Sequence, residues 1–256
     1  MTIPEQIIYE HPLNERIRTM LRLEHLFRLA MHFMKGHNSW DSRIFVATLI
    51  DILDIFSRGD LKNELLKELE RSATTLNSLM ANPRVDSSRL ATILKAMEHL
   101  IDNLHAMKNQ PGNELREDEF LNAVRQRSTI PGGTCEFDLP AYHRWLQQPW
   151  TSREAAQKRW FAQLDPIRQA IELLLKMIRN SADPLAAEAE NGNYQQNLDS
   201  NLPYQMLRVA LPADSPYYTE ISGSRHRFNI RFLHTDGGRP QVASEPVFFQ
   251  ITCCSL

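Results

Sequence analysis

The spacing of apolar residues changes once along this chain of 256 residues, and that change constrains the fold more than any other feature. Up to about residue 180, apolar side chains such as Leu23, Phe27, Ala30 and Met34 recur every three or four positions, which is typical of amphipathic helices. Beyond Leu202 they alternate with polar residues, which is typical of strands. The sequence therefore predicts a helical region followed by a small sheet.

Helix-ending and capping residues divide the first region. Gly36, Gly59 and Asn82-Pro83 interrupt the helical pattern, and Asp86 can cap the helix that follows. Short connections between successive helices predict antiparallel neighbours. We expect an α-helical domain over residues 13–180, whose later part includes single helices from about 113 to 128 and from 151 to 180.

The composition shifts at Ser181. The stretch SADPLAAEAENGNYQQNLDSN has no lysine or arginine and few large apolar residues. Such a composition is typical of flexible chain, because little apolar surface is available for burial. We expect residues 181–201 to be a linker or a long loop.

The alternating pattern predicts a β-strand domain over residues 202–256. A short strand is predicted at residues 3–9, IPEQIIY. It cannot be stable alone, so we expect it to join the same sheet. The predicted fold class is therefore α+β: antiparallel helices, then a small antiparallel sheet that the N-terminal strand joins. The strand candidates within the domain are Tyr204–Leu211, Tyr217–Ile221, Arg225–Leu233 and Pro246–Cys253.

Charge and cysteine content exclude several classes. A formal net charge of −2 argues against a protein that coats nucleic acid with its whole surface. The opening MTIPEQIIYEHPLNERIR lacks the layout of a secretory signal, and no apolar run is long enough to span a bilayer. Three cysteines fit a reducing compartment better than a disulfide framework. We expect a cytoplasmic protein that does not insert into the membrane.

The stretch VRQRSTIPGGTCEFDLP, from Val124 to Pro140, contains residue types used in catalysis. Its Pro-Gly-Gly is not followed by the lysine that a phosphate-binding loop requires. Cys135, Asp138 and His143 are the residue types of a thiol triad, but residue types without geometry are weak support for one. We expect a structural turn and a packed cysteine, with no catalytic residue.

Metal-ligand spacing is also absent. Cys253 and Cys254 are adjacent, so a strand would direct their side chains to opposite faces. His25 and His32 share a helix face without an acidic or thiol ligand at the usual spacing. We expect neither a metal site nor a cofactor.

The stretch SRHRFNIRFLH has a more informative pattern. Alternation places His226, Phe228, Ile230 and Phe232 on a core face, and it places Arg225, Arg227, Asn229 and Arg231 on the opposite face. Guanidinium groups bind carboxylates and phosphates through paired hydrogen bonds. The strand could therefore bind an acidic peptide or nucleic acid, although its aromatic residues leave no stacking platform on the arginine face. Spacing alone does not decide between the two.

Four long stretches in collinear order resemble the ZapD family of bacterial cell division proteins. They are YEHPLNERIRTMLRLEHLF, DIFSRGDLKNELLKELER, LREDEFLNAVRQRSTIPGGTCEFDLPAYHRWL and ISGSRHRFNIRF. The resemblance implies a helical domain joined to a β-strand domain, a homodimer and no enzymatic activity. It further implies binding of the C-terminal tail of FtsZ, cross-linking of FtsZ filaments in the Z-ring and recruitment to the division site at midcell. A nucleic-acid-binding module remains the alternative.

The resemblance also implies which residues bind the partner. Arg22, Arg58 and His143 match positions of the family's recognition surface, and Arg227 and Arg231 match basic positions there. The family pattern can carry a basic residue where this chain has Glu119, and Arg116 substitutes for it only if it faces the same cleft. The Pro-Gly-Gly turn is expected to place two further arginines at the edge of this cleft. The candidate partner-binding residues are Arg22, Arg58, Arg116, Arg125, Arg127, His143, Arg225, Arg227 and Arg231.

Overall fold

The computed structural model describes residues 5–57, 59–80, 82, 85–235 and 237–256. These residues divide into two compact units. The sheet unit consists of the described part of Met1–Leu21 together with Leu175–Leu256, and the helical unit consists of the described part of Arg22–Leu174. The predicted α+β class is confirmed.

The helices follow the predicted apolar spacing closely in the first half of the chain. Asp86 caps its helix as predicted, because its carboxylate accepts hydrogen bonds from the backbone N–H groups of Ser88 and Arg89. None of the described helices is both long enough and apolar enough to cross a membrane. The helices are α1 (Glu15–Phe33), α2 (Ser39–Phe56), α3 (Leu61–Ser78), α4 (Ser87–Ala106), α5 (Asn113–Glu117), α6 (Glu119–Ser128), α7 (Pro140–Leu146), α8 (Trp150–Ala162) and α9 (Asp165–Arg179).

Helix α2 lies at the centre of the helical unit. It is buried around most of its circumference, including polar Ser42 and Thr48, and it packs against α6, α7 and α8. A helix with such a wide buried face is stable only when several helices cover it, and its exposed stripe includes Trp40 and Asp51. Its residues Phe45 and Phe56 meet Phe161 and Phe27 in a cluster of aromatic rings.

Two helices predicted as continuous are each divided. Asp118 has an extended ψ of 116°, which ends α5, and its carboxylate accepts the N–H of Leu121 at 2.9 Å, which caps α6. Pro166 has no N–H to donate to the carbonyl of Ala162, so α8 cannot continue into α9 without a break. Both interruptions depend on one residue within a pattern that is otherwise periodic.

The sheet unit contains two antiparallel sheets, where one small sheet was predicted. The first has the strand order β1-β4-β8-β2, and the second has the order β3-β6-β5 with β7 also paired to β6. The strands are β1 (Gln6–Pro12), β2 (Leu185–Ala189), β3 (Asn193–Asn197), β4 (Tyr204–Pro212), β5 (Tyr218–Gly223), β6 (Arg227–His234), β7 (Gln241–Val242) and β8 (Val247–Ser255).

The core of this unit lies between the two sheets. Phe232 on β6 and Tyr194 on β3 contact Phe249 on β8, with ring centroids 4.8 Å and 5.1 Å apart. Leu207 and Val209 of β4 and Ile230 of β6 are fully buried in the same cluster. Along β6 the buried Phe228, Ile230 and Phe232 alternate with the outward Arg227, Asn229 and Arg231, as in other packed pairs of sheets.

The N-terminal strand joins the first sheet, as predicted. It pairs with β4 from Gln6 opposite Pro212 to Pro12 opposite Met206. As an edge strand it tolerates Pro12, which cannot donate to a ladder. The first two residues of the predicted strand 3–9 lie outside the described residues.

The interval 181–201 was predicted as a linker or long loop, and the structure corrects this. It contains β2, which pairs with β8, and β3, which pairs with β6. Between them Asn191 and Gly192 have positive φ values of 48° and 66°, and this turn carries the chain from one sheet to the other. The composition misled the prediction because these edge strands are held mainly by backbone hydrogen bonds, with only a few side chains such as Ala189 and Tyr194 in the core.

Candidate partner-binding site

Strand β6 carries two arginines on the surface of the sheet unit. Arg227 and Arg231 are exposed, whereas Phe228, Ile230 and Phe232 are buried. The predicted division of this strand into a core face and an arginine face is confirmed for these five residues. We call the outward side of β6 at Arg227, Asn229 and Arg231 the guanidinium face.

The prediction that His226 lies on the core face is wrong. His226 and Arg225 are exposed residues of the turn between β5 and β6, so neither belongs to the strand. The Ser224 N–H donates to the Arg227 carbonyl at 2.9 Å, and the Leu198 N–H donates to the His226 carbonyl at 2.8 Å. The turn therefore extends to His226, and β6 begins at Arg227, two residues later than predicted.

The neighbours of the guanidinium face are polar. Asn197 of β3 lies opposite Arg227, and Arg231 lies between Asn193 of β3 and Glu220 of β5. The Nη1 atom of Arg231 is 3.5 Å from Oε2 of Glu220. No described residue forms a hydrogen bond or ion pair with the Arg227 guanidinium, so its donors are available to a partner.

In the helical unit, Arg116 and Arg125 line one open cleft of about 640 Å³, which we call the Arg116 cleft. Arg116 therefore faces a cleft with a second candidate arginine, as its predicted role requires. Arg58, the third candidate expected there, lies outside the described residues, between the cleft residues Ser57 and Gly59. Glu119, whose identity departs from the family pattern, is exposed in the first turn of α6.

The backbone around Gly112 sets the position of Arg116. Gly112 has φ of +69°, a left-handed conformation that glycine adopts without strain, and it is the N-cap of α5. Its carbonyl accepts the Arg116 N–H at 3.0 Å, and the Arg116 carbonyl accepts the side-chain amide of Asn122 on α6. Both the N–H and the carbonyl of Arg116 are therefore held by hydrogen bonds, which fixes the backbone position of this residue.

Acidic residues moderate the charge of the Arg116 cleft. Asp60 also lines it, and hydrogen bonds from Asn63 and Gln110 lower the pKa of Asp60, which keeps that carboxylate ionised. Arg125 Nε lies 3.8 Å from Asp54 Oδ1. Burial raises the pKa of Asp51, and the neighbouring Asp54 carboxylate raises it further.

The Pro-Gly-Gly stretch forms a loop that brings charged groups together. Arg127 lies 3.8 Å from Asp138, and His143 Nδ1 lies 3.9 Å from Glu136. Gly132 has φ of +73°, so the turn uses a conformation that glycine permits. Arg127 and His143 thus both lie next to carboxylates of this loop.

Arg43 of α2 anchors this loop and was not among the predicted residues. Its guanidinium donates to the Thr134 carbonyl at 3.0 Å and lies 5.5 Å and 5.2 Å from the ring centroids of Trp40 and Tyr142. Burial raises the pKa of Tyr142 to about 12. Trp40 is 71% exposed, and an exposed aromatic residue beside an arginine is a pairing enriched at protein interfaces. The sequence offers no signal for this arrangement, because Arg43 and Thr134 are distant in the chain.

Arg22 is an exposed residue of α1. Within the described part of the chain no acidic group pairs with it. The candidate residues thus fall into two groups, apart from Arg58. Among the described residues, no hydrogen bond or ion pair reaches the guanidinium groups of Arg22, Arg116, Arg225 and Arg227. The members that face a carboxylate are Arg125, Arg127, His143 and Arg231.

The alternatives raised by the sequence have little geometric support. The Cys135 thiol donates to Asp138 at 3.5 Å, and the described contacts do not join Cys135 to His143. Among the described residues, no three potential metal ligands of the His, Cys, Asp or Glu types lie together. On the guanidinium face the neighbouring residues are Asn and Glu, so a stacking platform for bases is not present among them.

Comparisons with known proteins agree with this organisation. A family model described as ZapD, a cell division protein, matches residues 21–231. The chain is 43% identical over 252 residues to the cell division protein ZapD of Methylococcus capsulatus, which covers 98% of this chain and 99% of that protein. It is 39% identical over 251 residues to the ZapD proteins of Azoarcus sp. and Aromatoleum aromaticum, again over 98% of the chain.

The family match covers most of the chain, and the relatives align over nearly its whole length with identities well above those at which only a fold is shared. The resemblance seen in the sequence is thereby confirmed, and this chain belongs to the ZapD family of cell division proteins.

Proposed function

We propose that this chain is a non-enzymatic cytoplasmic factor that binds the C-terminal tail of FtsZ and, as a homodimer, cross-links FtsZ filaments in the Z-ring at midcell. The observation that carries the proposal is that the guanidinium of Arg227 on strand β6 has no partner among the residues that the structure describes, with Arg231 on the same face. Membership of the ZapD family supports it.

The chemistry of this face suits an acidic tail. Guanidinium groups form paired, charge-assisted hydrogen bonds with carboxylates. Four positions separate Arg227 from Arg231 along β6, so their Cα atoms lie roughly 13 Å apart. An extended peptide can present carboxylates at such a spacing, and its backbone can bond to the amide side chains of Asn229 and Asn197 between and beside the arginines.

The helical unit offers a second basic surface. Arg116 in the Arg116 cleft and Arg22 on α1 have guanidinium groups that pair with none of the described residues and can bind carboxylates. Arg125, Arg127 and His143 already face carboxylates of their own unit, so a tail must compete with those groups. We therefore propose Arg22, Arg116, Arg225 and Arg227 as the stronger contacts and the paired residues as weaker ones.

Cross-linking follows if the chain is a homodimer. A two-fold dimer carries two equivalent tail sites and can hold tails of neighbouring filaments. Because the tails of a filament are tethered at high local concentration, modest individual affinities are sufficient for stable bridging.

Co-sedimentation of purified FtsZ tests the proposal. Full-length FtsZ and FtsZ without its C-terminal tail are each polymerised with this protein, and pelleting of bundles is measured. We expect bundling only with full-length FtsZ. Equal pelleting with both forms, or no added pelleting with either, would contradict the proposal. Salt-sensitive binding to random duplex DNA instead of FtsZ would favour the nucleic-acid alternative.

A further inference from the structure

The sheet unit contains an open cavity of about 380 Å³ that the predicted binding residues do not explain. Pockets that hold ligands measure roughly 300–1,000 Å³, so this one suits a single large side chain and its immediate neighbours. It lies beside the start of α1 and the start of β4. Its walls include Leu13, Arg16, Leu202, Pro203, Tyr204 and Arg225.

The floor of this cavity is fixed by Gln205, which is only 5% exposed. The Gln205 backbone carbonyl accepts the Leu13 N–H at 2.9 Å. Its side-chain Oε1 accepts hydrogen bonds from Asn14 Nδ2 at 2.8 Å and from Arg16 Nη2 at 3.3 Å. The shape is therefore set by contacts within the protein, and a ligand would enter a site that is already formed.

The charge of the lining is positive. Arg16 and Arg225 contribute guanidinium groups, and no aspartate or glutamate is among the described residues that line the cavity. The Arg225 guanidinium forms no hydrogen bond or ion pair with any described residue, while the backbone of its turn is held by the bonds at Ser224 and His226. A carboxylate near Arg225 would thus gain a partner without displacing an internal one.

The remaining walls are apolar. Leu13, Leu202, Pro203 and Tyr204 supply apolar surface to the lining. Leu202 is 47% exposed, so part of its surface is left for a ligand to cover. Apolar walls with a guanidinium at the rim match a large apolar side chain that has a carboxylate next to it.

The cavity lies close to one end of the guanidinium face. Arg225 lines the cavity, and Arg227 is two residues further along the chain, so their Cα atoms are at most roughly 7 Å apart. A peptide bound at Arg227 can therefore reach the cavity within a few residues of its own length. This proximity favours an extended peptide over a separate small ligand.

We propose that this cavity is a subsite for the FtsZ tail, which places one large apolar side chain between Leu13 and Leu202 and an adjacent carboxylate at Arg225. This inference rests on the proposed function and adds Leu13, Arg16, Leu202 and Tyr204 to the binding residues. It also gives the tail a specificity element, because charge alone would not distinguish it from other acidic peptides.

The test uses fluorescence anisotropy of a labelled synthetic peptide with the sequence of the cognate FtsZ tail. Leu202→Asp places a charge at the apolar entrance at a half-exposed position, and we expect at least tenfold weaker binding. Leu202→Trp fills the cavity and should weaken binding similarly. Leu185→Asp is the matched control, because Leu185 is 67% exposed in the same unit and does not line the cavity; its affinity should equal that of the wild type.

Peptide variants identify the side chain that enters. Each large apolar residue of the peptide is replaced by serine in turn. One of these peptides should bind the wild-type protein weakly, and its affinity for the Leu202→Asp protein should be only slightly lower. A peptide amidated at its C-terminus shows whether Arg225 binds an acidic side chain or the terminal carboxylate. If the amidated peptide keeps its affinity, the partner is an acidic side chain. If it binds more weakly and Arg225→Gln weakens its binding no further, the partner is the terminal carboxylate.

The possible failures can be told apart. If the peptide binds the wild type but both Leu202 variants bind as tightly as Leu185→Asp, the cavity is not a subsite and the proposed function stands. If the wild type itself does not bind the peptide, while circular dichroism shows a folded protein, tail binding is refuted together with the subsite.

Discussion

Arg231 and Glu220 lie directly opposite each other on β6 and β5, with Nη1 of the arginine 3.5 Å from Oε2 of the glutamate. The pairing places a carboxylate of the protein where the carboxylate of an acidic partner would bind. Both side chains are about half exposed, at 48% and 57%, so water and salt screen their attraction. The pair therefore weakens the electrostatic attraction between the guanidinium face and an acidic partner without abolishing it.

Glu220→Gln should strengthen tail binding, because it removes the competing charge and keeps the size of the side chain. An exposed ion pair contributes about 0.2–1 kcal/mol, which corresponds to a gain of up to roughly fivefold in affinity. Anisotropy with the labelled tail peptide at low salt measures the change. Glu188→Gln removes an exposed carboxylate of β2 in the same unit and should leave the affinity unchanged. Weaker binding by Glu220→Gln than by this control would contradict the proposed role of Arg231.

Reversing both charges of the guanidinium face should abolish tail binding and leave the fold intact. Arg227→Glu/Arg231→Glu puts two carboxylates where the tail needs cations, on side chains that are exposed and take no part in the core. Lys176→Glu/Arg239→Glu is the matched control, because it changes the net charge equally at exposed positions of the same unit. Binding and circular dichroism are measured for both. Normal binding by a folded Arg227→Glu/Arg231→Glu protein would exclude this face as the tail site.

The residues that sequence analysis located correctly are those whose position follows from a period. Phe228 and Arg231 alternate along one strand, and their opposite faces could be predicted from spacing alone. Glu220 could not be predicted as the partner of Arg231, because their contact depends on the register of the hairpin. The same limit explains His226, which the turn removes from the strand.

The predictions that failed concern backbone hydrogen bonds and single interruptions. Strand β3, with the sequence NYQQN, carries little apolar surface, and its five backbone pairings with β6 are invisible in composition. Asp118 and Pro166 each interrupt a helical pattern that continues on both sides. At the candidate site, the sequence could supply the arginines, whereas the carboxylates that face Arg125, Arg127 and Arg231 depend on tertiary structure.

Glu10 should contribute strongly to the stability of the sheet unit. Its carboxylate accepts hydrogen bonds from Arg179 at 2.8 Å and from Arg208 at 3.0 Å, and all three side chains are mostly buried. Glu10→Gln removes the charge that both arginines share, and we expect a loss of roughly 2–3 kcal/mol in the free energy of unfolding. Hydrogen exchange of the amides of β1 and β4 measures it. Glu188→Gln serves again as the exposed control, and equal protection in the two variants would contradict this role.

The same network should make the sheet unit sensitive to acid. Burial on its own would raise the pKa of Glu10, but the hydrogen bonds and charges of Arg179 and Arg208 outweigh it and lower the pKa below the usual value of 4.5. The folded state therefore binds this proton less readily than the unfolded state. The contribution of Glu10 is complete above the ordinary glutamate pKa and is lost as the pH falls through the lowered pKa. Unfolding at decreasing pH should show a smaller loss for Glu10→Gln than for the wild type over that window, and parallel losses would contradict the assignment.

Gly112→Ala should destabilise the helical unit. The left-handed φ of +69° costs a residue with a Cβ roughly 1–2 kcal/mol, and the added atom would lie 2.5 Å from Leu53 Cδ2 in the core. Overpacking of this kind adds about 1–3 kcal/mol, so we expect a total loss of roughly 2–5 kcal/mol. Tryptophan fluorescence during urea unfolding reports on this unit alone, because all four tryptophans of the chain lie within it.

Gly59→Ala provides the comparison that isolates this effect. Gly59 also lines the Arg116 cleft, but its φ is not in the left-handed region and none of the described atoms lies within 4 Å of an added Cβ. Its unfolding midpoint should therefore stay close to that of the wild type. If Gly112→Ala were as stable as Gly59→Ala, the conformation at Gly112 would not be what holds α5 and Arg116 in place. We also expect Gly112→Ala to bind the tail more weakly than Gly59→Ala. The reason is that the Arg116 N–H bonds to the Gly112 carbonyl, so a shift at Gly112 displaces Arg116.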